Sequence, residues 1–543
     1  MKFRVAGRLT PVAAAYTTGQ IRSMPKLASI LAALTLAAPP LRAQTSQPTL
    51  VVMITIDGFA ERNLEKFLPQ MKGGLARLVN GGAWFTNAHQ DHGITETAPG
   101  HATLLAGRFP RSTGISANRA GVYDPESPLV GFSGGLGASP KRFQGTTLTD
   151  WLVSKDPRSR ALSVSSKDRA AILPIGRSKQ QVYWYAADGE MTTSKYYSDT
   201  VATWVSQFNA RSIPAHAAGK TWSLLLSPSE YAEPDSVPLE GNRNDFVFPH
   251  LLPSDTTATE TIFWTYPVGD ELLAAFALEG VQAMNLGKGP QTDVLAVSFS
   301  ANDAVSHRFG PDSREAHDQL LRADRTIGMF LDSLFKLRDP SKISIALSGD
   351  HGFGTMPELA KGLNPPPTRV SILPALVSAR QRMAKLHVDT TALELDVQVV
   401  YVDRAAFAKA KVNPDDVLRP FRDEVLKTQG VARVDRYADL LKGDTVGDRI
   451  VRRWTHQFPA NAPIEYVITL TPGSLWQSPL VASHGTPYDY DSNVPIVFYG
   501  PAFKSGRFAE FVRTVDIAPT LAATVPVTPT ERLDGVVLKQ AIK

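Results

Sequence analysis

The chain has no cysteine. That absence removes thiol nucleophiles, thiolate zinc sites, iron–sulfur clusters and disulfides together. Long apolar runs are also missing beyond the N-terminal region, which excludes a multi-span membrane protein. Acidic groups are absent from residues 1–43, which hold six basic ones: Lys2, Arg4, Arg8, Arg22, Lys26 and Arg42. Of 57 basic side chains, 51 therefore lie beyond residue 43, against 52 acidic ones, and the body of the chain carries a formal charge of −1. A nucleic-acid-binding protein needs a basic surface, so that class loses its main support. With 43% apolar and 20% charged residues, the composition is globular rather than disordered. The 39 glycines and 40 prolines point to many loops and away from a coiled coil. At 543 residues the chain exceeds one average domain and can bury a large core.

The N-terminus reads as an address. Met24–Ala43 has an early lysine, an apolar run over Leu27–Ala38, and a small residue, Ala43, before Gln44. This is the layout of a secretory signal peptide. The run is about 12 residues, too short to span a bilayer comfortably. Met24 competes with Met1 as the start, and an uncleaved membrane anchor is the alternative. The expectation is an exported protein, periplasmic or secreted, with no stable membrane insertion after signal removal. A thiol-free chain fits an oxidising compartment.

Fold class follows from a repeated pattern. Leu50–Ile56 is a nearly unbroken apolar run followed by Asp57-Gly58. Such a run predicts a strand buried on both faces, as in a parallel sheet. The pattern recurs at Val294–Phe299 before Ser-Ala-Asn-Asp303, at Ile343–Leu347 before Ser-Gly-Asp350-His351-Gly352, and at Val494–Tyr499 before Gly500-Pro501. Open α/β sheets place their sites at strand C-termini. Helices alternate with the runs, most clearly over Ser313–Leu337, where Asp312 and Glu315 make a candidate capping box. The predicted fold is α/β: a doubly wound, mainly parallel sheet sandwiched by helices, built from residues 44–354 and 481–543. Residues 186–260 look loop-rich. Residues 355–480 break the rhythm with Val397–Val402, a helical Pro414–Thr428 and Val431–Tyr437, and are expected to form an inserted α+β cap over the site.

The chemistry lies at the predicted strand ends. Asp57, Asp303, His307, Asp350, His351 and His484 are too many ligands for one tetrahedral ion but suit two. An Asp and His set without cysteine suits Zn²⁺, with Mn²⁺ or Fe chemically tolerable. A pair of ions roughly 4 Å apart would clamp the attacking and leaving oxygens of an in-line phosphoryl displacement. The other histidines (His89, His92, His101, His216, His250, His317, His387 and His456) are left unassigned as ligands. The candidate nucleophile is Thr97, expected as the N-cap of a helix with Pro99 in its first turn. A hydroxyl there meets the positive end of the helix, where a phosphate is also welcome. Thr95 is its competitor.

These residues resemble the alkaline phosphatase superfamily, in the branch of PafA-type, threonine-nucleophile alkaline phosphatases and nucleotide pyrophosphatase/phosphodiesterases. The resemblance covers most of residues 50–525. It rests on Ile56-Asp57-Gly58, Thr97-Ala-Pro-Gly-His101, Asp303-x-x-x-His307, Gly349-Asp350-His351-Gly352 and His484-Gly485-Thr-Pro-Tyr. It implies an alkaline-phosphatase-like core and two Zn²⁺ per chain. One ion would take Asp303, His307 and His484; the other would take Asp57, Thr97, Asp350 and His351. Sulfatases carry Cys or Ser in a Cys/Ser-x-Pro-x-Arg setting, whereas Thr97-x-Pro99-x-His101 stands here. Phosphoglycerate mutases of the superfamily use Ser and a different ligand set.

Ser165-Ser-Lys167-Asp-Arg169 resembles the Lys-x-Arg segment of the PafA-type monoesterases. In an extended segment both side chains would point to one side. Arg grips phosphate with two donors and Lys acts as a point charge. Asn118 matches an asparagine that contacts the phosphoryl oxygen in that branch. The expected substrates are small-molecule phosphate monoesters, with no nucleic-acid polymer. The expected activity is that of an alkaline phosphatase forming a phosphothreonine intermediate. A phosphodiesterase of the same superfamily is the alternative, and a non-catalytic phosphate- or metal-binding protein a further one. Asp489 and Asp491 are candidates for orienting an imidazole.

Overall fold

Leu50–Ile56 is buried at every position, as its nearly unbroken apolar sequence requires. It is strand β1 of the computed structural model, which describes residues 47–543. The signal-like segment, residues 1–43, lies outside the described residues. The other strands of this sheet are β2 (Ala83–His89), β3 (Ala161–Ser165), β4 (Gln181–Tyr185), β5 (Met191–Thr192), β6 (Asp293–Phe299) and β7 (Ile343–Gly349). After a second sheet come β12 (Asn493–Tyr499), β13 (Gly506–Phe508) and β14 (Val512–Arg513). The order is β13-β2-β12-β7-β1-β6-β3-β4-β5, with β14 also on β2. The central pairs β7-β1, β1-β6, β6-β3 and β3-β4 are parallel. The result is a mixed, mainly parallel sheet.

Helices cover both faces. Val52, Ile54 and Ile56 pack with residues of α1 (Glu61–Phe67), α2 (Gly74–Gly81), α6 (Pro267–Ala283) and α8 (Arg314–Leu337). Val51 and Met53 face the other way, toward α3 (Thr97–Leu104), α4 (Leu148–Lys155), α5 (Asp168–Ile172) and α12 (Ile517–Ala522). Each fully buried Leu, Ile or Phe contributes about 1.5–3 kcal/mol, so the two apolar layers dominate the fold. The expected Asp312/Glu315 capping box does not form. Ser313 is the N-cap of α8, its side chain accepting from the Ala316 N–H at 3.0 Å. Asp312 instead receives bonds from Arg62 and Thr355.

Register decides where the site sits. Ile56 pairs with both Phe299 and Gly349, so β1, β6 and β7 end level. Asp57, Ser300 and Asp350 therefore leave the sheet side by side. Asp303 and His307 follow on α7 (Ala301–Phe309), one turn apart. The fourth apolar run differs from the sequence expectation. Strand β12 is antiparallel to β7 and β2, so Gly500-Pro501 lies at the opposite end of the sheet. The site is met by residues ahead of this strand, His484 among them.

Residues 393–470 form a second, four-stranded antiparallel sheet: β8 (Leu393–Asp396), β9 (Val399–Val402), β10 (Val431–Arg436) and β11 (Ile464–Leu470), in the order β8-β9-β11-β10. Both β9 and β10 run antiparallel to β11, which lies between them, so the βαβ-like reading becomes a split unit. One face packs with α9 (Leu373–Lys385) and α10 (Asp415–Leu426). The other meets α11 (Arg449–Gln457) and Ile94. Gln457 accepts from the Ile94 N–H at 2.7 Å and donates to Ser116 O at 2.6 Å. This second sheet is thus keyed to the segment leading into α3.

Candidate active site

The six expected ligands come together at the level ends of β1 and β7. Gly58 makes the turn after Asp57 at a φ of +70° and gives its N–H to Asp350 Oδ1 at 3.0 Å. A side chain at Gly100 would collide with the Asp350 carbonyl, so this glycine lets α3 approach the strand end. His351 Nε2 lies 3.3 Å from Asp57, 3.6 Å from Asp350 and 3.8 Å from Asp303. His307 Nε2 and His484 Nε2 each lie 3.5 Å from Asp303 Oδ1. Donor atoms of Asp303, His351 and His484 fall within 4.8 Å of one another, as do those of Asp57, Asp350 and His351.

The three imidazoles share one arrangement. Nδ1 of His307 donates to Ala482 O at 2.9 Å, that of His351 to Gly352 O at 2.9 Å, and that of His484 to Thr95 O at 2.8 Å. Each ring therefore turns Nε2 toward the carboxylates, the nitrogen left to a metal ion when Nδ1 is held by a carbonyl. Asp489 and Asp491 do not orient these rings, contrary to expectation. Asp489 pairs with Arg449 and Arg453, and Asp491 holds the Thr486 N–H and hydroxyl.

The donor set fits metal ions. Both oxygens of Asp57, Oδ1 of Asp303, Oδ2 of Asp350 and Nε2 of His351 are buried without a formed hydrogen bond. Buried carboxylates are costly unless paired or bound to a cation. The Lys167 ammonium lies 2.7 Å from Asp57 and 2.5 Å from Asp303, but it supplies one charge among three carboxylates. Burial disfavours that ammonium, yet Asp303 and Asp57 hold its pKa above the ordinary lysine value. Burial likewise disfavours a charged His351, and Asp350 and Asp57 hold it up at about 10. His484 is pushed the other way, well below the ordinary imidazole value, by burial and by the neighbouring His351.

Thr97 is the first residue of α3, after Glu96 at the N-cap, so the cap lies one position earlier than expected. Thr97 is buried, 1% exposed. Thr95 is committed elsewhere, donating to Thr486 O at 2.9 Å. Asn118 Oδ1 accepts from the Ala98 N–H at 2.9 Å, which leaves its amide N–H groups to donate. The extended reading of Lys167 and Arg169 is corrected. Lys167 is the N-cap of α5, and Arg169 stands in the first turn of that helix. Alternation along a strand does not relate them. Arg169 Nε is buried without a partner.

One supporting residue was missed. His101 is fully buried; its Nδ1 contacts Thr97 O at 2.9 Å and Asp350 Oδ2 at 3.0 Å, and its Nε2 contacts Ser298 Oγ at 2.8 Å. It ties the Thr97 turn to Asp350. Its signal was the i,i+4 spacing from Thr97.

A family model for type I phosphodiesterase / nucleotide pyrophosphatase matches residues 51–455. The chain belongs to this family. It is a hydrolase of the alkaline phosphatase superfamily, and its fold is the alkaline-phosphatase-like α/β fold. Alkaline phosphatase PafA of Elizabethkingia meningoseptica is 28% identical over 516 residues, covering 89% of this chain and 92% of that one. Alkaline phosphatase PhoV of Synechococcus elongatus is 29% identical over 520 residues, covering 92% and 94%. A crystal structure of PafA superposes with a TM-score of 0.83 at 26% identity, over 92% of this chain and 99% of that one. Among the described residues no helix is long and apolar enough to cross a membrane.

Proposed function

We propose that the chain is an exported, zinc-dependent alkaline phosphatase that hydrolyses phosphate monoesters through a phosphothreonine at Thr97. The observation that carries this reading is a buried Thr97 at a helix start, tied through His101 to Asp350 in a cluster of metal-type ligands whose three buried carboxylates share one lysine. Asp303, His307 and His484 would hold one Zn²⁺, and Asp57, Thr97, Asp350 and His351 a second. When bound, the ions would supply positive charge that favours ionised oxygens on both sides of phosphorus.

The chain's own groups do the rest. The Thr97 hydroxyl gives its proton to solvent and its oxygen attacks phosphorus opposite the ester oxygen; the P–O(Thr) bond forms as the ester P–O bond breaks. The alcohol leaves with a proton taken from water. A second water then attacks the phosphothreonine, releasing phosphate and restoring the hydroxyl. The Ala98 N–H is already used by Asn118, so Asn118 presents its amide N–H in that place. Asn118, Lys167 and Arg169 would hold the non-bridging oxygens, where transition-state charge sits. A monoester dianion rewards those cations more than a diester monoanion. A solved PafA variant supports the grouping: it is substituted at a Thr, an Asn, a Lys and an Arg, which follow in the same order, and at the same spacing within each pair, as Thr97, Asn118, Lys167 and Arg169. Residues 355–480 would form a cap over this site. The expected optimum is alkaline, because the attacking oxygens must be deprotonated.

Acid quenching during turnover of a monoester, followed by peptide mass spectrometry, tests the intermediate. A phosphate on Thr97 is expected. Steady turnover with Thr97 unmodified overturns it. Metal analysis should find two zinc per chain.

A further inference from the structure

Beside His484 the chain forms a cavity of about 440 Å³, within the range of small-molecule sites. Its walls include Glu96 at the start of α3, Leu373 at the start of α9, Val397 between β8 and β9, Trp476, Leu480 and His484. Leu373, Val397 and Leu480 are large aliphatic residues left 62%, 50% and 41% exposed. No lysine or arginine lines the cavity, and Glu96 is its only carboxylate.

Val397 stands out within this wall. Asp396 pairs with Val399, so Val397 and Gln398 form a two-residue connection. Val397 has a φ of +51°, a conformation that glycine adopts freely and a β-branched residue adopts only under constraint. The connection is pinned by Gln398, which donates to Gly485 O at 2.7 Å, directly after His484. A strained and exposed valine persists where the surroundings fix it, often beside a ligand.

We propose that this cavity receives the alcohol portion of the substrate, and that the preferred substrates are phosphate monoesters of uncharged, apolar or aromatic alcohols. The proposal rests on the phosphatase reading above. His484 supplies the continuity, since it belongs both to the ligand cluster and to the cavity wall. Val397, Leu373 and Trp476 are then specificity-determining residues that touch the leaving group.

The test compares benzyl phosphate with 2-hydroxyethyl phosphate, both esters of primary alcohols, on the zinc-loaded full chain. The kcat/KM should favour the benzyl ester by about tenfold or more, the range one apolar pocket contact commands. Val397→Gly removes both the side chain and the φ strain. It should keep or raise the Tm while cutting the benzyl preference several-fold, mainly through KM. Trp476→Ala should cut it as well. Equal kcat/KM for the two esters, or a preference that both variants leave intact, overturns the cavity assignment. If neither monoester turns over, the phosphatase reading fails instead. Calorimetry with benzylphosphonate and methylphosphonate then decides the cavity: tighter benzyl binding, weakened in Val397→Gly, retains it, and equal affinities overturn it.

Discussion

The two main sheets bury themselves differently. The ten-stranded sheet is covered on both faces, and its strand ends carry buried carboxylates and imidazoles with unpaired atoms. The four-stranded sheet holds its charges in partly exposed ion pairs, such as Arg433–Asp435 and Arg436–Glu465. The first spends stability on buried polar groups, which marks a site that binds charge. The second pairs charges near its surface and contributes shape: α11 grips the Ile94 segment and the β8–β9 connection reaches Gly485, directly after His484. On the proposed reading, chemistry belongs to the large sheet and selection to the small one.

The largest effect should come from Thr97→Ala. Turnover should fall by at least about 10⁴-fold, the scale for removing a covalent nucleophile, with the Tm little changed. Substantial residual activity would move the chemistry to Thr95 or to water. Asp303→Asn should come next. It removes a carboxylate facing His307, His351, His484 and Lys167, and should lower zinc content together with kcat, by about 10²–10³-fold if one ion is lost. Full zinc occupancy in that variant would detach Asp303 from the metals.

Phe421→Ala probes the small sheet. Phe421 is fully buried between α10 and its sheet, and truncation should cost about 3–5 kcal/mol. The denaturation midpoint should drop while zinc content at low denaturant stays constant. Loss of zinc in step with the mutation would mean the two regions are not separable.

The smallest effect concerns pH. Burial pushes the Glu61 carboxyl up to about 9, with Trp84 Nε1 as its partner at 3.4 Å. The unfolded chain ionises this group from about pH 4.5 upward, before the folded one does. The stability held by neutral Glu61 is therefore complete in acid and lost as pH rises toward about 9. Glu61→Gln should gain about 1–3 kcal/mol near pH 9 and nothing near pH 4. A pH-independent difference would place the effect in packing.

The large sheet was legible because strands buried on both faces leave unbroken apolar runs, and because ligands cluster just past them. The direction of β12 was not, since an apolar run reads the same for parallel and antiparallel neighbours. The geometry of Lys167 and Arg169 was misread, because the chain turns helical at Asp168 with no proline or glycine to mark it. The partners of the three imidazoles were invisible for a different reason. Backbone carbonyls of Ala482, Gly352 and Thr95 accept those bonds, and a carbonyl has no residue type. His101 depends on Ser298 and Asp350, which only the fold brings to it. The strain at Val397 likewise has no sequence signature.

The central claim is that this site is built for a phosphate monoester. Its most direct test is kcat/KM for p-nitrophenyl phosphate against bis-p-nitrophenyl phosphate, at about pH 8–9, where bound zinc would favour ionised oxygens, in the wild type and in Lys167→Ala/Arg169→Ala. A large monoester preference that collapses in the double variant is the predicted result. A diester preference indifferent to Lys167 and Arg169 would contradict the account and make the enzyme a phosphodiesterase.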